Sequence, residues 1–361
     1  MKLLYVVPKI KNAGGVARVL SIKANYFVEH FNYEVHILSQ NEEDESFFYD
    51  FNSKIIFHNI HLKGNTFQFL KAYKKQLNKK IQEIKPNCIL VADNGLKAFI
   101  FPLIVKTKLP IVFECHGSKF IEEKHQKNDF FSKLIQKTKY HFKDFGARKF
   151  TKVVALSEES LKEWNVKNGI VIPNPSWIYS EKIAALNNKK VISIARNSYE
   201  KGLSRLLIIW EKIIEKHPDW TLEIFTDEVD SLKNITADLK MTSRIKVSAF
   251  IKNIEEKYLE SSIYVMTSRT EGFPMVLLEA MSLGLPCIAF DCPTGPRSII
   301  KDSENGFLIP DNDFKMYIEK LSFLMENEEI RLEFGRNAKQ TSEHFSTEKI
   351  MERWKQFFEN L

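Results

Sequence analysis

Long apolar runs are missing from this sequence: nowhere do about 18 uncharged apolar residues follow one another, which excludes a membrane-spanning helix. The opening run Met1-Lys2-Leu3-Leu4-Tyr5-Val6-Val7 is broken at Pro8, too early for a signal peptide, so the chain is expected to stay in the cytoplasm. Cysteine is scarce. Cys88, Cys115, Cys287 and Cys292 form no C-x-x-C pair and no Cys/His spacing of a zinc site, and are expected to be reduced, mostly buried thiols. The glycines fall into no G-x-G-x-x-G fingerprint and none precedes a Lys-Ser or Lys-Thr pair, which sets aside nicotinamide dinucleotides and P-loop chemistry. Short-period repeats and low-complexity segments are also absent.

What is there is length and an uneven charge. With 361 residues, 44% of them apolar and 27% charged, the chain is globular and large enough for two domains. Residues 1–175 carry 28 Lys and Arg against 17 Asp and Glu, hence +11, while the remainder carries 25 against 29, hence −4. The densest stretch, Lys119 to Lys152, holds ten basic and four acidic residues interleaved with Phe120, Phe130, Phe131, Leu134, Ile135, Tyr140, Phe142 and Phe145. Such a stretch is either one or two solvated helices packing their aromatic faces on their own domain or a basic amphipathic surface for anionic lipid. Nucleic acid is not expected, because no base-reading motif accompanies the charge.

Along the chain, short apolar runs alternate with helical periodicity. Lys2–Val7 reads as a strand, Gly14-Gly15 as a loop, and Val16, Val19, Leu20 and Ala24 as the start of a helix. Further strands are expected near 34–38, 88–91, 111–114 and 152–156, with a helix near 67–84. After Val171-Ile172-Pro173-Asn174-Pro175 the pattern breaks, and a second set begins near residue 189 with strands at 191–195, 222–225, 245–247, 263–267 and 287–290. Alternation of this kind implies α/β units with parallel sheets. The residues from Glu348 to Leu361 place Ile350, Trp354, Phe357, Phe358 and Leu361 on one helical face behind a cap at Ser346 or Thr347.

Loops that follow strands are where ligands of parallel sheets sit. Gly14-Gly15 allows close backbone approach at a helix start, and Glu114-Cys115-His116-Gly117 puts an imidazole at a strand end. A lone histidine is more often structural. Arg196 and Lys201 flank a loop that enters a helix; in a chain with 43 Lys and only 10 Arg, an Arg there is a pointed choice. Its planar fork suits phosphate oxygens, and the lysine supplies a point charge. The strongest segment runs from Ser268 through Glu271-Gly272-Phe273-Pro274-Met275-Val276 to Glu279. Pro274 fits the first turn of a helix, which leaves Glu271 in the loop before it and Glu279 about one turn inside. The helix dipole alone could account for both carboxylates. Alternatively they accept hydrogen bonds from sugar hydroxyls while the Gly272–Val276 amides face an anion.

Taken together, Glu271-x(7)-Glu279, Arg196…Lys201-Gly202, Gly14-Gly15 and His116-Gly117 resemble the retaining glycosyltransferases of family 4, of the bacterial surface-polysaccharide type. The resemblance spans nearly the whole chain and is most specific from Val191 through Gly306. It implies the GT-B fold: α/β, two Rossmann-like parallel-sheet domains facing a cleft, with the C-terminal helix returning to the N-terminal domain. The implied division is an acceptor-binding domain over 1–175, a nucleotide-sugar domain over 189–345 and a crossover helix over 346–361. By the same resemblance Arg196 and Lys201 hold the donor diphosphate, Glu279 the ribose hydroxyls, Glu271 the donor sugar, His116 the hexose, and Gly14-Gly15 lies beside the phosphates. Gly272, Phe273, Pro274, Met275 and Val276 complete the donor site.

Asp311-Asn312-Asp313 spells D-x-D, a metal motif in another glycosyltransferase fold, but it follows an apparent strand and exposed turn. No metal and no other cofactor are therefore expected. Ala249-Phe250-Ile251 departs from the glycine the family commonly carries near the nucleobase, and Cys292-Pro293-Thr294-Gly295-Pro296 resembles members that use UDP-hexoses. The implied partners are a nucleotide-sugar donor, a glycan or lipid-linked glycan acceptor, and an anionic membrane surface at the inner face of the cell membrane. Two other classes stay open: a UDP-sugar 2-epimerase of the same architecture, and a non-catalytic scaffold that binds membrane or glycan.

Overall fold

The computed structural model describes residues 1–42, 46–120, 130–238 and 244–361. The chain divides into two compact units, Met1–Pro175 together with Thr347–Leu361, and Ser176–Ser346. Elements of the first unit are β1 (Lys2–Val6), α1 (Gly15–His30), β2 (Glu34–Gln40), β3 (Ile56–Ile60), α2 (Thr66–Ile84), β4 (Cys88–Val91), α3 (Leu96–Ile104), β5 (Ile111–Cys115), α4 (Phe130–Ala147), β6 (Lys152–Ala155), α5 (Glu158–Lys162) and β7 (Gly169–Val171). The second unit contains β8 (Lys190–Ile194), α6 (Leu203–Lys216), β9 (Thr221–Thr226), α7 (Val229–Asp238), β10 (Ile245–Ala249), α8 (Glu255–Leu259) and β11 (Ile263–Met266). It continues through α9 (Met275–Ser282), β12 (Cys287–Asp291), β13 (Gly306–Pro310), α10 (Phe314–Glu326) and α11 (Glu328–Ser342), after which α12 (Thr347–Glu359) belongs to the first unit.

Each unit is built on a parallel sheet, ordered β3-β2-β1-β4-β5-β6-β7 in the first and β10-β9-β8-β11-β12-β13 in the second. Alternate side chains of β1 enter two cores. Leu3, Tyr5 and Val7 pack with Val35, Ile37 and Leu90 against α1 and α12, whereas Leu4 and Val6 join Ile89, Val91 and Val153 against α2 and α3. A sheet covered on both faces needs strands that are apolar throughout, which is why these runs read so clearly in the sequence.

The last helix returns to the first unit. Ile350, Met351, Trp354, Phe357 and Phe358 are buried along one face of α12, and the Phe358 ring lies 5.7 Å from Phe27 of α1. Full burial of a side chain of this size contributes roughly 1.5–3 kcal/mol, so Trp354→Ala is the single change most damaging to this docking. The second unit starts well ahead of its first strand: Ala184 N donates to Leu283 O at 2.9 Å, and the Ser176 and Ser282 hydroxyls are 3.0 Å apart. The segment from 176 to 189 is thus part of that unit's packing.

Strand order reverses at two points, between β1 and β4 in the first sheet and between β8 and β11 in the second. Loops leaving adjacent strands there diverge to opposite faces of the sheet and open a crevice at the carboxyl edge. The four cysteines are free and buried. Among the described residues no helix is long and apolar enough to cross a membrane.

Candidate active site

In the second unit the loop after β8 and the loop after β11 leave the switch point side by side. They are tied together through Gly202, which has φ +64 at the start of α6. Thr267 Oγ1 donates to Gly202 O at 3.0 Å, and a Cβ on Gly202 would lie 2.3 Å from Thr267 O. Only glycine meets both demands. Arg269 adds a second tie, its backbone N donating to Glu200 O at 2.7 Å and its guanidinium to Tyr199 O at 2.7 Å.

These constraints bring Lys201 to Glu271. Lys201 Nζ lies 2.8 and 2.7 Å from the two carboxylate oxygens, the glutamate buried and the lysine partly exposed. Arg196, on the same loop, is exposed. Ser198 and Ser268 contribute buried hydroxyls that have no hydrogen-bond partner among the described residues. The Glu271 loop is held from beneath: Thr294 Oγ1 donates to Glu271 O, and Gly295, at φ +96, sits so close that a Cβ would lie 2.6 Å from Pro274 Cδ. Cys292-Pro293-Thr294-Gly295-Pro296 therefore shapes the glutamate loop. Sequence reading attached that segment to donor choice and missed the support it gives; the glycine between Thr and Pro was the available signal.

Pro274 occupies the cap position ahead of Met275, one residue earlier than the first turn expected for it, and no side chain caps the helix. No side chain therefore covers the amides at this end of α9, where Leu277 N donates to Pro274 O at 3.1 Å. Glu279 is one turn inside and buried. Trp177 Nε1 donates to its Oε1 at 2.6 Å and the Tyr258 hydroxyl to its Oε2 at 2.9 Å. Burial, and then the Glu279 charge, push the Tyr258 hydroxyl well above its ordinary value, so it stays a donor. Neither partner is legible in the sequence, since Trp177 falls where the strand and helix pattern breaks off and Tyr258 is an ordinary position of the short helix α8.

The first unit places its glycines and histidine at the matching edge of its own sheet. Gly14 caps α1, its amide donating to Asn12 Oδ1 at 2.8 Å. A Cβ on Gly15 would meet nothing within 4 Å, so the helix start is open there. His116 follows β5, its Nε2 3.1 Å from Glu114 Oε2. Packing beside it is close: a Cβ on Gly117 would lie 2.7 Å from Asn94 Nδ2.

Asp311 and Asn312 stand on an exposed turn but are already engaged, because the buried Arg205 donates to Asp311 Oδ1 and Asn312 Oδ1, each at 2.7 Å. Asp313 caps α10 by accepting from Met316 N at 2.9 Å. Arg205 was not singled out from the sequence. Among the described residues no group of three His, Cys, Asp or Glu is arranged to hold a metal ion.

The basic stretch from 119 to 152 is only partly a surface. Residues 121–129 lie outside the described residues. Two of the cations counted there are buried and add nothing to a surface: Lys119 pairs with Asp144 at 2.7 Å, and Lys143 donates to Lys119 O at 3.3 Å. Phe131, Leu134, Ile135 and Phe145 of α4 are exposed, as are Lys133, Lys137, Arg148 and Lys149.

Both halves of the chain match models of glycosyltransferase families. Residues 175–341 match the family described as Glycosyl transferases group 1, and residues 15–151 match Glycosyl transferase 4-like. An uncharacterized glycosyltransferase of Haemophilus influenzae is 29% identical over 365 residues, covering 98% of this chain and 99% of that protein. The amylovoran biosynthesis glycosyltransferase AmsD of Erwinia amylovora is 27% identical over 369 residues, covering 98% of each. Among solved structures, S. aureus TarM in a complex that includes UDP superposes with a TM-score of 0.79 at 16% identity over 99% of both chains. That likeness is one of fold, and it carries the two Rossmann-like units implied by the resemblance to GT-B proteins.

Proposed function

We propose a specific reaction for this chain, which carries a glycosyltransferase domain in each half and is a glycosyltransferase of glycan or polysaccharide synthesis. It moves a hexose from a nucleotide diphosphate sugar, with UDP-hexose as donor, to a glycan or lipid-linked glycan acceptor in surface polysaccharide synthesis. The configuration at C1 is retained and no metal takes part. The first unit takes the acceptor and the second the nucleotide sugar.

The observation that carries this reading is the pairing of Lys201 with Glu271 at the uncapped end of α9. One loop offers a cation for a diphosphate and its neighbour a carboxylate for sugar hydroxyls, beside a helix N-terminus that no side chain caps. Glu279, fixed by Trp177 and Tyr258, is a preorganised acceptor for a ribose diol. The relatives' names support a bacterial polysaccharide context, and the UDP in the TarM complex supports the choice of base. Metal independence is supported by Arg205, which takes up Asp311 and Asn312.

In the step itself the bond from C1 to the phosphate oxygen breaks and C1 bonds to the acceptor oxygen on the same face. The acceptor proton passes to the departing phosphate oxygen, and UDP leaves. A glycosidase retains configuration through a carboxylate nucleophile about 5 Å from its acid partner. Here both glutamates are assigned to hydroxyls, so the protein's part is to orient the two sugars and stabilise charge growing on the phosphate. Arg196 and Lys201 supply that charge, and the family resemblance assigns His116 to the hexose and Gly14 and Gly15 to the phosphates.

A panel of nucleotide sugars tests the donor, the true one raising the melting temperature most. Transfer is then followed by UDP release with and without acceptor glycan, in EDTA. Release that requires acceptor and survives EDTA is expected. Release or epimerisation without acceptor points to the epimerase, and activity that returns only with manganese refutes metal independence.

A further inference from the structure

Lys23, Glu114 and His116 form an ionic cluster inside the first unit. Lys23 Nζ lies 2.6 Å from Glu114 Oε2, and both side chains are 2% exposed. The same oxygen is 3.1 Å from His116 Nε2. Trp354 of α12 covers the ammonium, its ring centroid 3.7 Å from Nζ, and the Tyr5 ring is 5.5 Å away. Glu114 Oε1 and the Tyr5 hydroxyl are buried without a hydrogen-bond partner among the described residues.

Packing alone does not call for such a cluster. A buried ion pair is weak evidence for stability, since apolar side chains of similar volume often do as well or better. Charge counting gives it a purpose. Tyr5 of β1 and Cys88 of β4 also face the carboxylate; burial first, and then the Glu114 charge, raise both, Cys88 to about 12, so neither is charged near neutral pH. Burial would likewise raise Glu114, but the Lys23 charge and then the His116 contact outweigh it and hold the carboxyl at about 2. Burial lowers the Lys23 ammonium while Glu114 opposes that. The carboxylate thus already has the Lys23 amine as its partner, 2.6 Å away, before the imidazole is counted.

We propose that Glu114 and Lys23 are positioning residues for His116: Lys23 neutralises the buried carboxylate, which accepts the Nε2 proton of a neutral imidazole and so fixes a single tautomer with Nδ1 free to accept a hydrogen bond from a hydroxyl. Without Lys23 the imidazole would become the counter-ion of Glu114, take up a proton at Nδ1 and lose that lone pair. Trp354 makes the arrangement depend on α12, because the ring closes the site of the ammonium. The inference rests on the reading in which His116 meets the donor hexose.

The test uses the full chain labelled with nitrogen-15 in histidine, with His116→Gln assigning the resonances. Wild-type His116 is expected as one neutral tautomer, protonated at Nε2, at pH 7. In Lys23→Met its titration midpoint should rise by about 1–3 pH units, the usual effect of an opposite charge left unbalanced nearby. The acid limb of kcat/KM for the donor should move up with it. Mixed tautomers in the wild type, a measurement that needs no destabilised variant, overturn the proposal whatever the kinetics show. So does a midpoint that Lys23→Met leaves in place. A fixed tautomer with a raised midpoint in Lys23→Met supports it, and unchanged donor KM and kcat in His116→Gln would then count against the donor reading alone.

Discussion

One ammonium occupies both carboxylate oxygens of Glu271: Lys201 Nζ stands 2.8 Å from Oε1 and 2.7 Å from Oε2. A diphosphate that arrives beside Lys201 therefore competes with a partner already in place, and the glutamate, released in part, gains lone pairs for sugar hydroxyls. Coupling of this kind makes the two residues one unit.

Lys201→Ala should lower kcat as well as kcat/KM, by about 100-fold or more, the usual loss when one preorganised group facing developing charge is removed. It should also destabilise the fold by at most about 3–5 kcal/mol, because a buried carboxylate is left unpaired. Lys201→Ala with Glu271→Gln should recover the stability and not the rate. Thermal melts and steady-state kinetics on the two variants decide this, and an unchanged kcat in Lys201→Ala would falsify the phosphate role. Arg196→Ala should show the same loss of rate with little change in stability, since that side chain is exposed.

Glu279→Gln should act mainly on donor affinity. Trp177 and Tyr258 each donate to one carboxylate oxygen, and an amide leaves one of these donors facing an NH2 group. A hydrogen bond to a charged group contributes about 1.5–3 kcal/mol, or roughly 10- to 150-fold in Kd. Tyr258→Phe should weaken donor binding in the same direction by freeing the carboxylate to move. Isothermal titration with UDP measures both; an effect confined to the acceptor KM would remove Glu279 from the ribose.

Much of this fold is legible in the sequence alone, and the exceptions share a cause. Strands buried on both faces, such as Cys88–Val91, announce themselves as apolar runs. The edge strands Ile56–Ile60 and Gly169–Val171 do not, because most of their positions are partly or fully exposed. Residues whose chemistry is local, like the glutamates at one helix start, could be paired by spacing. Trp177 reaches Glu279 across 102 positions and Arg205 reaches Asp311 across 106, and single-sequence spacing says nothing about contacts at that range.

Acid should weaken the first unit through Glu114. Its carboxyl is held at about 2, below the ordinary carboxylate value of 4.5, so the stability it contributes is present above the ordinary value and is lost as pH falls from there toward 2. Glu114→Gln should be less stable than wild type at pH 7, because Lys23 then lacks its counter-ion, and the gap should narrow at pH 3. Denaturant melts at the two pH values give the comparison. A gap that widens on acidification would mean that another group dominates the acid limb.

The last prediction concerns where the acceptor is met. Helix α4 carries exposed Phe131, Leu134, Ile135 and Phe145 beside exposed Lys133 and Lys137, with Arg148 and Lys149 just beyond its end. The amino half as a whole is +11, while the half proposed to hold the nucleotide sugar is −4. Transfer to a soluble sugar has no use for that asymmetry, whereas a lipid-linked acceptor requires the first unit to approach an anionic bilayer. Each lysine or arginine near such a surface adds about 1 kcal/mol, and the inserted side chains add the apolar part. Lys119 and Lys143 contribute nothing, because both are buried. Co-sedimentation should therefore be strong with anionic vesicles and weak with neutral ones, and should fall steeply with salt, since exposed charges are screened within about 10 Å at 0.1 M. Lys133→Glu with Lys137→Glu should abolish it without changing transfer to a soluble acceptor analogue. Equal binding to neutral and anionic vesicles, or binding that survives the double charge reversal, would leave α4 as a solvated helix of its own domain.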